Sequence, residues 1–274
     1  MSTQQKQKTD GGIGGFLVFC FIIFMISKAG GGTPTPQNIA FAGGLKSQTI
    51  EFVEKTETKA ILKIPYINQW LNTENKKSVP GGELMCGAAS SIMVLAAYGK
   101  IPYKSESELQ QYLTKDYEGI SPRIPGCDNL SGVFQRTAYS GHCKGSLPAN
   151  IYQLMLGNGL ETSVQASYKK MLNINEKAEE PLTLQQIKNH INSGNPLILN
   201  FISGKFDHIV VIVGYEGDQL IVHDPYTDVS RFSAPVTYDT GKFVRYSVSA
   251  DGRTIFPNTA KKGTIVYTIA PKLL

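Results

Sequence analysis

Apolar residues recur with the period of an α-helix in the first half of the folded part of the chain. The longest such stretch is apolar on nearly every side and stops at Gly99, so it predicts a buried helix. A Ser-x-x-Glu pair at Ser105 and Glu108 and an early proline at Pro148 mark the starts of two more helices. The predicted helices lie within residues 85–99, 105–113, 147–159 and 183–194.

Short runs rich in Val, Ile and Tyr replace the helical pattern after residue 195 and predict strands. These runs lie within residues 196–202, 208–215, 219–225, 243–248 and 263–269. Turn-forming sequences at 216–218 and 250–253 separate some of them. N-terminal helices packed on a C-terminal antiparallel sheet form an α+β domain, which is the fold class we predict. Residues 47–63 fit either a strand or a short helix.

The N-terminus carries one continuous apolar segment. Residues 16–26 are eleven apolar residues in a row, with lysines before them and a Gly-, Thr- and Pro-rich stretch after them. A signal peptide or a short membrane anchor has this size, and the preceding lysines favour export of the rest of the chain. We therefore predict a signal peptide or N-terminal membrane anchor at 1–29, a flexible linker at 30–46 and a folded domain at 47–274.

An anchored or secreted protein at the extracytoplasmic face of the cell envelope can form disulfides. Residues 120–146 are rich in Gly, Ser, Asn and Pro and predict a loop that holds Cys127 and Cys143. We predict a disulfide between these cysteines, with two free thiols as the alternative. The chain has no Cys-x-x-Cys, His-x-x-x-His or His-Glu-x-x-His pattern, so we predict neither a metal nor another cofactor.

Charge argues against one class of partner. The formal net charge is +5 over 274 residues, and no cluster of Lys and Arg is interleaved with aromatic residues. We therefore expect no nucleic acid partner. The chain is long enough to bury a substantial core.

Cys86 stands at the start of the longest predicted helix and is a candidate nucleophile. A thiol at a helix N-terminus meets the positive end of the helix dipole and unpaired backbone N–H groups, and both favour the thiolate. The alternative is that Cys86 is a small buried apolar residue, which is a common place for a lone cysteine.

A base for this thiol can be sought among the four histidines. Residues 208–215 and 217–224 fit a hairpin centred on Glu216. In that register His208 lies directly opposite Asp224, whose carboxylate could accept the imidazole Nδ1–H.

The other histidines fit the role less well. Successive side chains of a strand point to opposite faces, so His223 would point away from the face that carries Asp224. His142 lies in a predicted loop, where it is expected to cap a neighbouring element or to be solvated. His190 lies off the apolar stripe of a predicted helix and is expected to be solvated.

Acyl transfer also needs donors for the oxyanion of its tetrahedral intermediate. The backbone N–H of Cys86 is one candidate, and the side-chain amide of Gln69 is the second, ahead of Asn68. The alternative for Gln69 is a loop amide bound to water.

Five motifs follow one another along residues 62–226. They are Ile64-Pro65-Tyr66-Ile67-Asn68-Gln69, Cys86-Gly87-Ala88-Ala89-Ser90, Gly194-Asn195-Pro196-Leu197-Ile198, Asp207-His208-Ile209-Val210-Val211-Ile212-Val213-Gly214-Tyr215 and His223-Asp224-Pro225. In this order they resemble the landmarks of the papain-like, bacteriocin-processing peptidase family C39, and especially its stand-alone C39-like branch.

The resemblance implies a papain-like fold in which Cys86 is the nucleophile, His208 the base and Asp224 the residue that orients the base. It also implies that Gln69 donates to the oxyanion. The gap between Gln69 and Cys86 is longer than is usual in that family. The loop with the two cysteines and the segment after Tyr226 look like additions to it.

The leading functional hypothesis is an exported cysteine peptidase that cleaves a peptide amide bond of a peptide or protein substrate through a thioester intermediate. A second hypothesis keeps the Cys-His-Asp triad in a cell-wall peptide hydrolase or an acyl transferase. A third is a non-catalytic papain-like binding or scaffold module of an envelope assembly.

Overall fold

The folded part begins with a β-hairpin, continues with helices and ends in antiparallel strands. The computed structural model describes residues 48–70, 84–115, 127, 131–139, 144–166, 179–204, 206–226, 238–258 and 261–273. Its elements are β1 (Phe52–Lys55), β2 (Lys59–Leu62), α1 (Cys86–Ala97), α2 (Glu106–Gln111), α3 (Gly132–Thr137), β3 (Ala138–Tyr139), β4 (Lys144–Ser146), α4 (Pro148–Gly157), β5 (Leu160–Ala166), α5 (Leu184–Asn192), β6 (Leu197–Ser203), β7 (Phe206–Glu216), β8 (Gln219–His223), β9 (Val244–Val248), β10 (Thr254–Asn258) and β11 (Lys261–Leu273). A short 3-10 helix, Tyr238–Gly241, precedes β9.

Six antiparallel strands close into a ring. They follow the order β7-β6-β11-β10-β9-β8, and β8 pairs again with β7. Closure leaves these six strands without an open edge along the ring. β1 and β2 extend the sheet from β7, and β5 pairs with β11. The antiparallel sheet and the α+β class agree with the prediction, but the sheet also includes β1 and β2, whose segment the prediction left open between strand and helix, and β5, which it missed.

Helix α1 is the centre of the helical part. Every residue of α1 after Cys86 is buried, and the helix packs against β7, α3 and α4. Gly87 allows a close approach to β4, because a Cβ atom there would lie 2.3 Å from the Ser146 side chain. The Ser90 hydroxyl donates to the Ile209 carbonyl of β7 at 3.3 Å. These contacts hold the Cys86 end of α1 against the strand that carries the best-placed histidine.

The four predicted helices are present, three of them with the end signals predicted from the sequence. Gly99 follows α1 with φ +69°, and Ser105 caps α2 by accepting the Glu108 N–H at 3.1 Å. Pro148 is the first residue of α4, and Thr183 forms a full capping box at the start of α5. Short-range side-chain chemistry therefore sets these ends, as the sequence indicates.

The five predicted strands are present, and residues 47–63 contain the hairpin of β1 and β2 rather than a helix. The prediction missed β5 and β10, and it was wrong to treat 120–146 as a loop throughout, because α3, β3 and β4 lie there. Helix α3 has six residues, all buried, and packs on α1 and α4. A helix this short is stabilised by tertiary packing rather than by its own sequence pattern, so periodicity does not reveal it.

Several predictions fall outside the described residues. They are the signal or anchor at 1–29, the linker at 30–46, and the positions of His142 and Cys143. These stay predictions. Within the described residues, no helix is both long and apolar enough to span a bilayer.

Candidate active site

Cys86 is the first residue of α1 and the one residue of that helix that is not fully buried. Its thiol is free of any disulfide. The preceding residue, Met85, makes no side-chain capping bond to the helix N-terminus. The backbone N–H groups of this first turn therefore receive no side-chain acceptor from the N-cap residue. A half-buried thiol in this position can attack a substrate carbonyl, and the neighbouring N–H groups can stabilise the negative charge that develops on the carbonyl oxygen.

His208 lies on β7 and connects two other polar side chains. It is 4% exposed, and its Nε2 lies 2.7 Å from Asp224 Oδ1. Cys86 is close enough to the same imidazole to raise its pKa. Because Nε2 is taken by the carboxylate, Nδ1 is the nitrogen left for the thiol. The sequence-based expectation that Nδ1 would face the aspartate is therefore wrong; the ring is turned the other way.

The predicted hairpin register is also wrong, although the two side chains meet. In the observed register Val211 pairs with His223, so Asp224 follows the end of β8 and lies two positions from the point opposite His208. The hairpin turns at 217–218 instead of being centred on residue 216, and a bulge in β7 shifts the register again. A diagonal pair at this spacing is still within reach of long side chains.

Asp224 is fixed by a set of donors around its carboxylate. Oδ1 accepts from His208 and from the backbone N–H of Tyr226 at 2.9 Å. Oδ2 accepts from the Tyr246 hydroxyl. The backbone of Asp224 is held as well, since its N–H donates to the Gly241 carbonyl at 2.8 Å and its carbonyl accepts from the Tyr66 hydroxyl at 2.9 Å. The carboxylate is thus presented to the imidazole in one orientation.

Tyr246 is a site residue that sequence reasoning missed. It lies on β9, is 3% exposed and stacks edge-on against Phe201, which in turn contacts the His208 ring. The buried position among apolar strand residues gives no local sign that its hydroxyl meets a carboxylate. Only closure of the ring, which places β9 beside β8, brings Tyr246 to Asp224.

Burial and charge act in opposite directions on this pair. Burial alone would lower the pKa of His208, but the adjacent Asp224 carboxylate, together with Cys86, raises it to about 10. Burial would raise the pKa of Asp224, but His208, Tyr246 and the Tyr226 N–H lower it below its ordinary value. The pair therefore favours a charged imidazole next to a charged carboxylate at neutral pH.

Gln69 and Asn68 lie in a buried segment tied to the Asp224 region. The Gln69 N–H donates to the Pro225 carbonyl at 2.8 Å, directly after Asp224. Asn68 Oδ1 accepts from the Trp70 N–H at 2.7 Å, so that side chain closes a local turn. The Gln69 segment is thus fixed beside the residue that orients His208, and the role of Gln69 in the oxyanion site stays a prediction.

His223 is fully buried and has a structural arrangement of its own. Its Nε2–H donates to the Ile64 carbonyl at 3.1 Å, and its Nδ1 accepts from the Phe243 N–H at 3.2 Å. A carbonyl can only accept and an amide N–H can only donate, so the neutral imidazole satisfies both partners. Burial lowers the pKa of His223 to about 3, the Ile64 bond opposes this, and nearby Lys242 lowers it further.

Acid should destabilise the protein through His223. In the unfolded chain this group titrates near 6.5, and in the fold it titrates near 3, so its stability contribution is lost as the pH falls from 6.5 towards 3. The expected loss from this residue is about 2 kcal/mol of unfolding free energy between pH 7 and pH 5. Urea unfolding at both pH values measures it. His223→Gln, which cannot be protonated, should lose correspondingly less; an equal loss in both proteins would contradict the assignment.

His190 is less exposed than predicted, and Cys127 takes part in a disulfide. His190 is half-buried rather than solvated, and burial lowers its pKa. Cys127 is fully buried and disulfide-bonded. Since Cys143 lies outside the described residues, the pairing of these two cysteines stays a prediction.

Comparison with known proteins gives a family match and two similar structures. Residues 61–245 match the model described as the Peptidase_C39 like family. A double-glycine-motif protease from an AMS/PCAT transporter, solved with the leader peptide, is 19% identical over 82% of this chain and 100% of that chain, with a TM-score of 0.38. A structure described as a C39-like peptidase from Bacillus anthracis is 12% identical over 79% of this chain and 98% of that chain, with a TM-score of 0.36. No curated protein matches the chain.

Proposed function

Because the chain belongs to the Peptidase_C39 like family, we propose that it is a cysteine peptidase whose nucleophile is Cys86 and whose base is His208, oriented by Asp224. One observation carries the assignment of residues: His208 Nε2 bonds Asp224 at 2.7 Å, which leaves Nδ1 for the nearby Cys86 thiol that also raises the pKa of this imidazole. A base held between a nucleophile and an orienting carboxylate is the arrangement that acyl transfer requires.

The geometry supports the following sequence of steps. His208 Nδ1 already holds the proton that the Cys86 thiol has given up, and Sγ attacks the carbonyl carbon of the scissile amide. The resulting oxyanion is stabilised by the Cys86 N–H and, in this proposal, by the Gln69 amide. His208 returns the proton to the leaving amine as the C–N bond breaks, which leaves a thioester on Cys86. Water, deprotonated by His208, then attacks the thioester and releases the carboxylic acid and the thiol.

Asp224 has two effects in this scheme. Its bond to Nε2–H fixes the ring so that Nδ1 faces the thiol, and its charge stabilises the imidazolium. Tyr246 and the Tyr226 N–H hold the carboxylate in that position. The orienting group is therefore itself oriented, which keeps the imidazole within a narrow range of geometries.

Alkylation of Cys86 tests this proposal without knowledge of the substrate. Iodoacetamide should label Cys86 in the wild-type protein, and the rate at pH 7 should fall about tenfold or more in His208→Gln, because the base that takes the thiol proton is gone. Glutamine keeps an N–H donor for Asp224 and limits damage to the fold. Peptide mass spectrometry locates the label, and Cys86→Ser shows the background from other thiols. Equal rates in wild type and His208→Gln would refute the proposed base.

We extend the proposal to the location of the protein. The apolar run at 16–26 and the linker-like composition after it support an enzyme held at, or released to, the extracytoplasmic face of the cell envelope. A cleaved signal peptide gives a mature chain that begins near Gly30, whereas an anchor leaves Met1 or Ser2 at the N-terminus. N-terminal sequencing of the purified protein distinguishes the two.

A further inference from the structure

An acidic side chain is next to the candidate base along the chain but on the other side of its strand. Asp207 directly precedes His208 on β7, and successive side chains of a strand point to opposite faces of the sheet. Asp207 therefore shares a face with Ile209, whereas the His208 imidazole points the other way, where it meets Asp224. The Asp207 side chain is exposed to solvent.

The face that carries Asp207 and Ile209 is the one on which the start of α1 packs. A Cβ atom on Gly87 would lie 3.0 Å from Ile209 Cδ1, and the Ser90 hydroxyl donates to the Ile209 carbonyl at 3.3 Å. The first turn of α1, which begins at Cys86, thus lies over Ile209. Asp207 is two residues before Ile209, about 7 Å along the strand.

The direction of α1 places its first residue at the Asp207 end of β7. The Tyr98 hydroxyl, at the C-cap of α1, donates to Asn195 Oδ1 at 3.0 Å, just before the start of β6. The start of β6 pairs with the later half of β7, at Ile212. Helix α1 therefore runs in the same direction as β7, and Cys86 lies at the end of β7 that carries Asp207.

The charges of these two groups agree with this placement. Tyr267 pairs with Asn200, which pairs with Ile209, so the Tyr267 side chain lies on the face that α1 covers. Burial raises the pKa of Tyr267 well above its ordinary value, and the negative charges of Asp207 and Cys86 both raise it further. The carboxylate and the sulfur therefore both lie near one point on this face.

The Asp207 carboxylate is oriented but has no counter-charge of its own. The buried Asn200 amide donates to Asp207 Oδ1 and to the His208 carbonyl. In the part of the chain that the structure describes, no lysine or arginine forms an ion pair with Asp207. Asp218, in the turn at the other end of β7, has such a partner in Lys188 at 2.8 Å.

Two effects strengthen the attraction of a cation to Asp207. Its side chain is exposed, yet the protein around it desolvates the carboxylate enough to raise its pKa, and the Asn200 amide and His208 oppose the rise. His208 forms no ion pair with it, because that imidazole is bonded to Asp224. A positive charge beside Asp207 would therefore meet a partly desolvated negative charge, which attracts it more strongly than a fully solvated one does.

We propose that Asp207 is a specificity residue of the peptidase and that its carboxylate binds a positively charged group of the substrate, the ammonium of a basic side chain or of a free N-terminus. The exposed carboxylate and the half-buried Cys86 thiol lie at the same end of β7 and on the same face. An extended peptide advances about 3.3 Å per residue, so a cationic group within a few residues of the scissile bond reaches Asp207. The inference rests on the proposed peptidase function and adds a substrate class to it.

Thiol reagents that differ only in charge test the proposal without a known substrate. The 2-ammonioethyl, ethyl and 2-sulfonatoethyl methanethiosulfonates all transfer a thioalkyl group to a cysteine thiolate. The ratio of the cationic to the neutral rate at Cys86 should be about threefold to tenfold higher in the wild type than in Asp207→Asn. Because both rates are measured on one thiol, the ratio cancels any change in the reactivity of the sulfur itself. Peptide mass spectrometry quantifies the label on Cys86.

Charge reversal gives the sharper variant. In Asp207→Lys the anionic reagent should gain on the neutral one and the cationic reagent should fall behind it, a reversal that a loss of structure alone does not produce. Asp218→Asn is the matched control, because it removes the same charge from an exposed position at the other end of β7, and its rate ratio should equal that of the wild type. In 1 M NaCl the wild-type ratio should approach that of Asp207→Asn.

Peptide hydrolysis identifies which group carries the charge. In a peptide that the wild type cleaves, replacement of lysine by norleucine removes a side-chain charge, and acetylation removes the N-terminal charge. The change that lowers kcat/KM about threefold to tenfold for the wild type, but not for Asp207→Asn, identifies the group that binds Asp207.

The outcomes separate this assignment from the proposed function. Equal rate ratios in the wild type and Asp207→Asn, or an equal fall in Asp218→Asn, overturn the role of Asp207 and leave the peptidase intact. An Asp207→Lys variant that keeps the wild-type order of the reagents does the same. A wild-type protein with neither His208-dependent labelling of Cys86 nor peptide hydrolysis refutes the peptidase function itself.

Discussion

Replacement of Cys86 by alanine is expected to lower kcat for peptide hydrolysis about 10⁴-fold or more, because every bond-breaking step of the proposed mechanism passes through Sγ. The fold should tolerate the change. Cys86 is half-buried at the first position of α1 and takes no part in a disulfide, so the expected cost in unfolding free energy is about 1 kcal/mol or less. Mass spectrometry of products from a peptide library measures the activity and identifies the cleaved bond.

Ser91→Ala provides the matched control on the same helix. The Ser91 hydroxyl is buried and donates to the Gly87 carbonyl at 2.7 Å, within α1 and away from the imidazole. This variant also loses one small polar atom, yet its kcat should stay within about twofold of wild type. Residual hydrolysis by Cys86→Ala at the level of Ser91→Ala would show that another group is the nucleophile.

Asp224→Asn is expected to damage both stability and activity. It leaves the buried imidazole without its counter-charge and disturbs a site at which three donors converge. Breaking a buried ion pair in this way costs about 3–5 kcal/mol of unfolding free energy. Since the ring loses the group that orients it, kcat should fall about 10²- to 10⁴-fold.

The pH dependence of this deficit distinguishes an ion pair from packing. The pKa of His208 is raised to about 10, so the stability it contributes is complete below 6.5 and is lost as the pH rises through 10. The pKa of Asp224 is lowered, so its contribution is complete above 3.8 and is lost only in stronger acid. The difference between wild type and Asp224→Asn should therefore be largest near pH 6 and smaller at pH 10. Urea unfolding at these two values measures it, and a constant difference would contradict the ion pair.

Tyr246→Phe gives a graded comparison for the same interaction. It keeps the ring that packs on Phe201 and removes only the hydroxyl that donates to Asp224. A hydrogen bond to a charged group contributes about 1.5–3 kcal/mol, so this variant should lie between wild type and Asp224→Asn in unfolding free energy. A Tyr246→Phe variant as unstable as Asp224→Asn would show that the tyrosine, and not the ion pair, dominates.

The sequence was informative where a short segment determines its own structure. The α1 helix with Gly99 at its end, the α5 helix with its Thr183 cap, and the strand β7 all have local signals, and all are present. The triad candidates were found for the same reason. The sequence alone shows a cysteine at the start of a predicted helix, and a histidine and an aspartate in a predicted hairpin.

Details that depend on register or closure could not be predicted in this way. A bulge in β7 and a two-residue turn changed the pairing of His208 and Asp224, and the imidazole presents Nε2, not Nδ1, to the carboxylate. Tyr246 lies on a strand far along the chain, and nothing in its neighbouring residues connects it with the Asp224 carboxylate. Its position follows from which strands become neighbours when the ring closes.

Ring closure also sets the order in which the site can be completed during synthesis. The ribosome releases Cys86, His208 and Asp224 before β9 and β11. Asp224, however, accepts a hydrogen bond from a tyrosine of β9, and β6 pairs with β11 on one side and with β7 on the other. Pairings between segments so far apart in sequence form late. A nascent chain that ends before its last strand therefore contains all three residues but not the closed ring around them. In such a chain, proteolytic activity would have to wait until the whole domain has emerged.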